Sequence, residues 1–448
     1  MHKNIFSTFH TKQTLNLAWP LVLTQVGHVV TAMVDTIFLG KIGATEQAAG
    51  ILSSNLYILI LVFAIGMSYA TTPLTTAAFE KQDSLKKAEL FKNSLFLNFV
   101  VASICFVLLF FASNLLQYMQ QPKEVVDLAK PFFNVLIFSM IPMSLFFTSK
   151  QYCEGLSNTK MALLISVIGN LLNIILNYGL IYGKCGLPEM GYMGSAWASF
   201  FARMFMGVSF LVFVFYSPIT KEIRYVFKLV KINKQQLFQL WQIGFNSAMQ
   251  FTFEVAAFVI AGLMAGSFGK EQIDAHGIAM NIAAFTYMFG SGIGSAATIR
   301  VGIYKAQNNW NEIKVASQTA MRLVVLIMGT FGVLLLILKN ILPHAFSNEI
   351  SIVQRASTLL IIAALFQLFD GLQVTIIGIL RGLEDTKAPT YITLVGYWFI
   401  ALPLAYLLAF NFHLQTVGIW IALLVSLLLV SIGLYWRWYF LVKQKLNS

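Results

Sequence analysis

The chain contains few charged residues, few cysteines and no recognisable catalytic motif. Charged residues make up only 11% of its 448 residues, whereas hydrophobic residues make up 58%. A soluble domain needs more charged surface than this, so the composition excludes a soluble globular protein. The three cysteines have neither metal-ligand spacing nor the pattern of a disulfide framework. There is no Gly-rich phosphate loop, His/Cys metal pattern or supported Ser/His/Asp set, which argues against an enzyme, a receptor and a bound cofactor.

The positive net charge does not indicate a nucleic-acid partner. The formal net charge is +12, but the basic residues lie mainly in the loops between apolar segments. We therefore expect contact with the lipid bilayer and no nucleic acid. Lys3, His10 and Lys12 precede a first apolar segment that is too long for a signal-peptide core and lacks a small-residue cleavage site. We expect that segment to be retained.

Twelve apolar segments are long enough to cross a bilayer, which takes about 20 residues. The predicted spans are 15–39, 51–76, 93–117, 128–149, 160–182, 191–216, 237–266, 273–300, 317–342, 352–379, 388–411 and 415–441. An even number of spans places both termini on one side. Most Lys and Arg residues lie in the tails and the even-numbered loops, which predicts that both termini are cytoplasmic.

The two halves of the chain resemble each other at a nearly constant offset. Adding 226 or 227 to first-half numbers pairs Gly40 with Gly266, Asn55 with Asn281, Gly66 with Gly292, and Gly155 with Gly382. The pattern predicts an all-α polytopic membrane protein with two six-helix lobes, 1–216 and 237–448, joined by a basic cytoplasmic linker at 217–236. Repeats of six spans share one orientation and are related by a pseudo-twofold axis along the membrane normal, which suits transport by alternating access.

The seventh predicted span carries a carboxylate near its middle. Asn246, Gln250 and Glu254 follow each other at intervals of four residues, so they share one helix face. A charged side chain at the bilayer centre costs at least about 2.5–3.5 kcal/mol on insertion scales, so Glu254 should face protein or water. A buried structural contact is one interpretation. We favour the other, an ion or proton pathway.

The tenth predicted span carries the second deeply placed carboxylate, Asp370, on one face with Gln367 and Gln373. We expect Asp370 to be the partner of Glu254. Two carboxylates in one dry site cannot both remain ionised, so they would share a proton or a metal cation. Asn281 and Tyr287 of the eighth span are further candidates for this site.

A second polar group occupies the first and fifth predicted spans. His28 and Asp35 belong to a continuous polar stripe on the first span, and Asn173 and Asn177 share a face of the fifth. The amides could simply join neighbouring helices, Asp35 could be a solvated end residue, and His28 could be a satisfied polar contact. Alternatively, amide oxygens and a carboxylate could bind a hard cation such as Na⁺.

The sequence resembles the MATE (multidrug and toxic compound extrusion) family, and its NorM-like branch in particular. The resemblance covers nearly the whole chain and is carried by Pro20, Val34-Asp35-Thr36, Gly155 to Lys160, Asn173 to Asn177, Phe253-Glu254-Val255, Ala275-His276, Asn281, Ile299 to Gly302, Asp370 and Arg381-Gly382 with Asp385. It implies a V-shaped pair of six-helix lobes in the bacterial inner membrane. It also implies a monomer that exports small cationic, amphipathic compounds in exchange for inward H⁺ or Na⁺.

The resemblance also implies roles for individual residues. Glu254 and Asp370 match the family's second-lobe cation site, and three residues match its first-lobe site: Asp35, Asn173 and Asn177. Where that site can include a tyrosine, one turn before the tenth-span aspartate, this chain has Phe366. The missing hydroxyl favours H⁺ over Na⁺, unless Tyr287 or a water replaces it. The alternative function is a lipid-linked saccharide flippase of a related fold, although such relatives usually have more spans and more basic cavities.

Overall fold

The computed structural model describes residues 8–118, 122–217 and 220–447, and over these ranges the chain is helical with no β-strand. Its first nine α-helices are α1 (Thr8–Ile42), α2 (Ala44–Ser68), α3 (Thr71–Glu80), α4 (Ser84–Ala112), α5 (Lys123–Phe138), α6 (Met140–Gly155), α7 (Lys160–Tyr182), α8 (Tyr192–Tyr216) and α9 (Lys221–Val226). The remaining helices are α10 (Lys234–Gly266), α11 (Lys270–Ala306), α12 (Trp310–Leu338), α13 (Ile350–Gly382), α14 (Lys387–Leu394), α15 (Leu402–Tyr406) and α16 (Gln415–Asn447).

The predicted polytopic all-α fold is confirmed. Within the described residues, 11 helical segments are long and apolar enough to cross a membrane, or 12 if the bent pair α5 and α6 forms one span. In a bilayer every backbone N–H and C=O must bond within the protein, and a helix meets that requirement inside one segment. This is why hydropathy alone located the spans.

The fourth predicted span, 128–149, is not one continuous helix. α5 and α6 meet at Ser139 with a bend of 41°. The Ser139 backbone N–H bonds to the carbonyl of Leu136, three residues back, as in a tightened last turn. Pro142 lacks the N–H that would bond to the Phe138 carbonyl, so the helical ladder is interrupted on the other side of the bend as well.

The eleventh predicted span, 388–411, contains two widened turns. π-helical segments cover Val395–Ala401 and Leu407–Asn411, and α15 lies between them. Pro403 removes the N–H that would bond to the carbonyl of Phe399, which accounts for a disturbed ladder in the turn before it. Such π-turns often occur at functional sites, because they rotate side chains away from the regular helical position.

The chain packs as two compact units whose boundaries lie inside helices. Unit 1 contains Met1–Val22 and Met249–Ser448, and unit 2 contains Leu23–Ala248. The first part of α1 therefore packs within unit 1, and the first part of α10 packs within unit 2. The two boundaries differ by the same offset of 226 that relates the halves of the sequence. The lobes 1–216 and 237–448, which were inferred from the sequence repeat, remain a prediction. The two packing units have different boundaries.

Each unit has its own buried core. Unit 2 is filled by large aromatic side chains, including Phe91, Phe133, Phe146, Tyr152 and Phe210. Unit 1 instead combines Trp420, Tyr397 and Phe366 with many alanines. Small residues allow helices to approach closely, which matters in a bilayer because the lipid provides little hydrophobic force between helices.

The closest helix approach in unit 1 brings α13 onto α11. A Cβ atom added to Gly378 would lie 2.2 Å from the backbone carbonyl oxygen of Gly294. Thr298 fastens the crossing, because its hydroxyl donates to the Gly378 carbonyl at 2.8 Å. This contact fixes the helix that carries Asp370 and Gln373.

Candidate functional site

Glu254 is buried in unit 1, its carboxylate accepts hydrogen bonds from neutral groups, and Arg381 interacts with it electrostatically. It lies in the middle of α10 and is 6% exposed. Its Oε1 accepts a hydrogen bond from Gln373 Nε2 at 3.1 Å and one from the Tyr397 hydroxyl at 3.4 Å. Among the described residues no Lys, Arg or His forms an ion pair with it. The predicted polar face of α10 is therefore buried, with Gln250 (3% exposed) one turn before the carboxylate.

Asp370 belongs to the same site but does not touch Glu254 through a hydrogen bond. It lies on α13, three residues before Gln373, and is 5% exposed. It interacts electrostatically with both Glu254 and Tyr397. In the described part of the chain, no donor forms a hydrogen bond with its carboxylate. The structure thus places two carboxylates in one buried environment with no basic partner within ion-pair distance.

Tyr397 is a site residue that the sequence reasoning missed. It is fully buried and lies in the first π-helical segment of the eleventh span. Its hydroxyl accepts a hydrogen bond from Gln373 Nε2 at 3.0 Å, and it can donate to Glu254 Oε1 or to Gln373 Oε1. The duplication contained a usable signal, because an offset of 227 pairs Tyr397 with Asn170, which belongs to the polar face of the fifth span.

The other second-half candidates lie in different surroundings. Tyr287 is half-buried and interacts electrostatically with Tyr397, so it borders the site. Asn281 is exposed, and none of its hydrogen bonds reaches Glu254 or Asp370 within the described residues. Phe366 packs against Trp420, with ring centroids 5.3 Å apart, and contributes no oxygen. The Tyr397 hydroxyl provides a phenol oxygen next to Glu254, which Phe366 cannot provide.

A second polar cluster lies in unit 2 around Asp35. Asn177 Nδ2 donates to Asp35 Oδ1 at 2.7 Å, and the Ser199 hydroxyl donates to Asp35 Oδ2 at 2.9 Å. Asn173 joins the cluster through Ser199, at 3.3 Å, and through Asn177. The predicted grouping of the aspartate with the two asparagines is therefore seen. Ser199, on α8, was not among the residues predicted from the sequence.

One oxygen of this cluster has no donor. Asn177 is fully buried, and its Oδ1 atom has no hydrogen-bond partner among the described residues. A buried acceptor without a donor is costly, which makes it a natural ligand for a proton donor or a cation. The Asp35 carboxylate and the Asn173 Oδ1 atom, which bonds to Asn177 Nδ2 at 3.1 Å, lie beside it.

His28 is not part of the Asp35 cluster. Its ring packs edge-on against Phe146, with centroids 5.8 Å apart, and lies 6.5 Å from Phe147. The His28 Nε2 atom is buried and has no hydrogen-bond partner in the described chain. It interacts electrostatically with two cations of unit 2, Lys150 and Arg203. The polar stripe of the first span therefore divides into two environments.

Comparison with known proteins shows similarity along nearly the whole chain. Residues 20–179 and 247–407 each match the MatE family model, which agrees with an internal duplication. A "Probable multidrug resistance protein NorM" of Mesorhizobium japonicum is 30% identical over 434 residues, 95% of this chain and 93% of the relative. A "Multidrug resistance protein MdtK" of Yersinia pseudotuberculosis is 29% identical over 440 residues, with 97% and 96% coverage.

Solved structures show the same fold. The eukaryotic MATE transporter AtDTX14 matches with a TM-score of 0.88 at 19% identity, covering 98% of both chains. An outward-facing multidrug resistance MATE family transporter of the MOP superfamily matches with a TM-score of 0.87 at 17% identity, covering 98% of this chain and 97% of that one.

Proposed function

Because this chain belongs to the MatE family of membrane transporters, we propose that it exports cationic, amphipathic compounds in exchange for H⁺ or Na⁺. The resemblance expected from the sequence is confirmed, and the chain is a multi-pass membrane protein of the multidrug efflux type. The proposal adds antiport, the charge of the substrate and the location of the coupling site.

The observation that carries the proposal is the environment of Glu254. Its carboxylate is buried, is bound by an amide and a phenol, and lies beside the second buried carboxylate, Asp370. Two negative charges in a site of low dielectric constant repel each other strongly unless a proton or a cation neutralises one of them. A drug cation and a coupling cation would compete for this charge, and competition for one charge produces exchange.

We propose H⁺ as the coupling ion at this pair, with Na⁺ as the alternative. Na⁺ requires several oxygen ligands, as hard cations do. Tyr397 provides an oxygen where Phe366 does not, so the argument against Na⁺ from Phe366 is weaker than the sequence suggested. However, Gln373 directs its Nε2 donor, rather than its Oε1 acceptor, toward Glu254. A sodium ion would require that amide to turn, whereas a proton would not. The Asp35 cluster, with the free Asn177 Oδ1, is the proposed second cation site.

The coupling ion must bind two conformations unequally. Shifting an equilibrium from 1:99 to 99:1 takes about 5.5 kcal/mol of differential affinity. A membrane potential supplies only about 2.3 kcal/mol per 100 mV for each charge moved. Differential binding at the buried carboxylates therefore has to supply most of the bias in this mechanism. We propose alternating access in the bacterial inner membrane with both termini in the cytoplasm, supported by the distribution of Lys and Arg.

Transport by inverted membrane vesicles tests the proposal. In inverted vesicles, export appears as uptake into the vesicle. Uptake of a fluorescent organic cation would be measured with an imposed pH gradient, an imposed Na⁺ gradient, or neither, each at zero membrane potential. We expect the pH gradient to drive accumulation in the vesicles and Glu254→Gln to remove that response. Accumulation that follows only the Na⁺ gradient would identify Na⁺, and not H⁺, as the coupling ion. Movement that ignores both gradients would rule out antiport.

A further inference from the structure

Arg203 is a charged residue inside a span that the mechanism above does not use. It is residue 12 of the 25-residue span Tyr192–Tyr216, near its middle, and is half-buried. An arginine at that depth is costly, so it requires an explanation. Its Nη1 donates to the Ser139 hydroxyl at 2.7 Å, and its guanidinium lies 4.8 Å from the centre of the Tyr57 ring.

Arg203 shares a helix face with a ligand of Asp35. Ser199, which donates to Asp35, precedes Arg203 by four residues, one helical turn of about 6 Å. The guanidinium interacts electrostatically with Asp35, although the two form no ion pair within the described residues. Ser139 and Tyr57 hold the guanidinium of the residue that follows Ser199 by one turn, so a fixed positive charge accompanies the Asp35 cluster on α8.

The internal duplication shows that the two charges occur together. Offsets of 226 and 227 pair Ser199 with Ser426, but they pair Asp35 with Ala261 and Arg203 with Val430. The serine is thus kept in both halves, while the anion and the cation are both replaced by apolar residues in the second half. The partners of the guanidinium are replaced as well, since the same offsets pair Tyr57 with Ala283 and Ser139 with Phe366, so the whole charged cluster is specific to the first half.

We propose that Arg203 is an internal counter-cation for Asp35 and determines the cation selectivity of unit 2. It neutralises the Asp35 cluster, and it therefore weakens the binding of any external cation to Asp35 and Asn177. Glu254 of unit 1 also interacts electrostatically with an arginine, Arg381, and neither arginine forms an ion pair with its carboxylate in the described chain. This inference rests on the proposed cation coupling and specifies how unit 2 takes part in it.

Sodium binding to purified protein tests the selectivity. The background carries Glu254→Gln and Asp370→Asn, which removes the carboxylates of unit 1, and ²²Na⁺ binding is measured at equilibrium. In Arg203→Gln, which removes the charge and keeps a polar side chain, we expect the Kd for Na⁺ to fall about tenfold, because a nearby like charge is removed. Arg203→Lys keeps the charge and should bind Na⁺ as weakly as the background. Adding Asp35→Asn to Arg203→Gln should abolish the gain.

A structural role for Arg203 predicts a different pattern. Ser139→Ala removes the hydrogen bond that holds the guanidinium but keeps its charge, so it should leave Na⁺ binding weak. Equal Na⁺ affinities for Arg203→Gln and Arg203→Lys, or a gain of affinity in Ser139→Ala that matches Arg203→Gln, would overturn the proposal.

A stability cycle tests the charge pairing without reference to any ion. Thermal unfolding would be measured for Asp35→Asn, Arg203→Gln and the double variant in Na⁺-free buffer. Each single change leaves one charge unbalanced, so the double variant should lose less stability than the sum of the two. Additive losses would overturn the proposal. The cycle requires no transport, so its failure is distinguishable from a failure of the proposed antiport.

Discussion

Two buried glutamates of this chain differ in what surrounds their carboxylates. Glu154 of unit 2 is 2% exposed and pairs with Lys150, one turn earlier on α6, at 3.3 Å. Glu254 of unit 1 is equally well buried, but its hydrogen-bond donors are the amide of Gln373 and the phenol of Tyr397. An ion-paired carboxylate is already neutralised, whereas one held by neutral donors is available to a proton or a cation. The same residue type therefore has a structural role at one position and a proposed coupling role at the other.

Neutralising the carboxylates of unit 1 should separate coupling from stability. Glu254→Gln and Asp370→Asn should each reduce gradient-driven export by at least about tenfold, because each removes charge that the coupling ion neutralises. The double variant should be no worse than either single variant, since the pair acts as a unit. Vesicle transport normalised to folded protein measures this. If both single variants transport as the wild type does, the pair has no part in coupling.

Glu154→Gln provides the matched control for that experiment. It is the same substitution at a buried position, but it leaves Lys150 without its ion-pair partner. Breaking a buried ion pair from one side costs about 3–5 kcal/mol, so this variant should unfold at lower temperature. Its remaining folded fraction should still respond to the gradient. Loss of the gradient response in this variant, at normal stability, would contradict the distinction drawn between the two glutamates.

Tyr397→Phe should change the ion affinity of the carboxylate site, in opposite directions for H⁺ and Na⁺. The change removes one donor to Glu254 and one acceptor for Gln373, while the ring continues to pack against Phe258 at 5.7 Å. A donor to an ionised carboxylate opposes its protonation, so without the Tyr397 hydroxyl the H⁺ concentration that half-saturates export should fall. Na⁺ would instead lose an oxygen ligand, and its half-saturating concentration should rise. A hydrogen bond to a charged group contributes about 1.5–3 kcal/mol, so either shift should be roughly tenfold or more. The measurement is export rate against pH or Na⁺ concentration. An unchanged half-saturation point would remove the hydroxyl from the site.

Helices α11 and α13 position the carboxylate site through a contact that tolerates no side chain. Gly378 lies against the Gly294 backbone, and α13 carries both Asp370 and Gln373. The π-helical turns of the eleventh span have a comparable effect, since one of them carries Tyr397. Irregular or closely packed backbone thus determines which side chains meet Glu254.

Gly378→Ala should therefore destabilise unit 1, against the usual preference of helices for alanine. The new Cβ would lie 2.2 Å from a backbone oxygen, so α13 would have to move, and overpacking of this kind costs about 1–3 kcal/mol. Gly329→Ala is the control, because a Cβ on Gly329 has no atom within 4 Å. Thermal unfolding in detergent should show a loss for the first variant only. Equal stability of the two variants would show that α11 and α13 separate easily.

At the scale of the whole molecule, the chain consists of two compact units that do not follow the order of the sequence. The first part of α1 belongs to unit 1 and the first part of α10 to unit 2. In unit 1, Arg300 of α11 donates to the Thr14 hydroxyl at 2.7 Å, which fastens the start of α1. In unit 2, Asn93 of α4 bonds to Gln236 of α10. Each of these contacts joins the first part of one sequence repeat to the packing unit that consists mainly of the other repeat.

The predicted topology can be tested with a native residue. Cys185 is exposed and follows Lys184 in the loop after α7, whereas Cys105 and Cys153 are buried. A membrane-impermeant maleimide should label Cys185 only from outside intact cells. In a Cys185→Ser background, Lys228→Cys, at an exposed position in the linker, should be labelled only in inverted vesicles. The reverse pattern would invert the topology and the direction of transport.

The sequence by itself determined the features that depend on single segments. The spans follow from hydropathy, because a bilayer requires each backbone group to bond within its own helix. The buried positions of Glu254 and Asp370, and the shared environment of Asp35, Asn173 and Asn177, follow from helical periodicity combined with the cost of burying polar groups. The duplication followed from the repeated glycines and agrees with the two matches to one family model.

Only the tertiary structure decided which side chains from different helices meet. Tyr397, Ser199 and Arg203 escaped the sequence reasoning, and the division at Val22 and Ala248 was equally hidden. Periodicity gives the face of a helix but not its rotation, its crossing angle or its neighbour. Rotation, crossing angle and neighbour are set by contacts such as that of Gly378 with Gly294, and by local breaks at Ser139 and in the π-helical turns. These contacts and breaks depend on residues distant in sequence or on the surrounding packing.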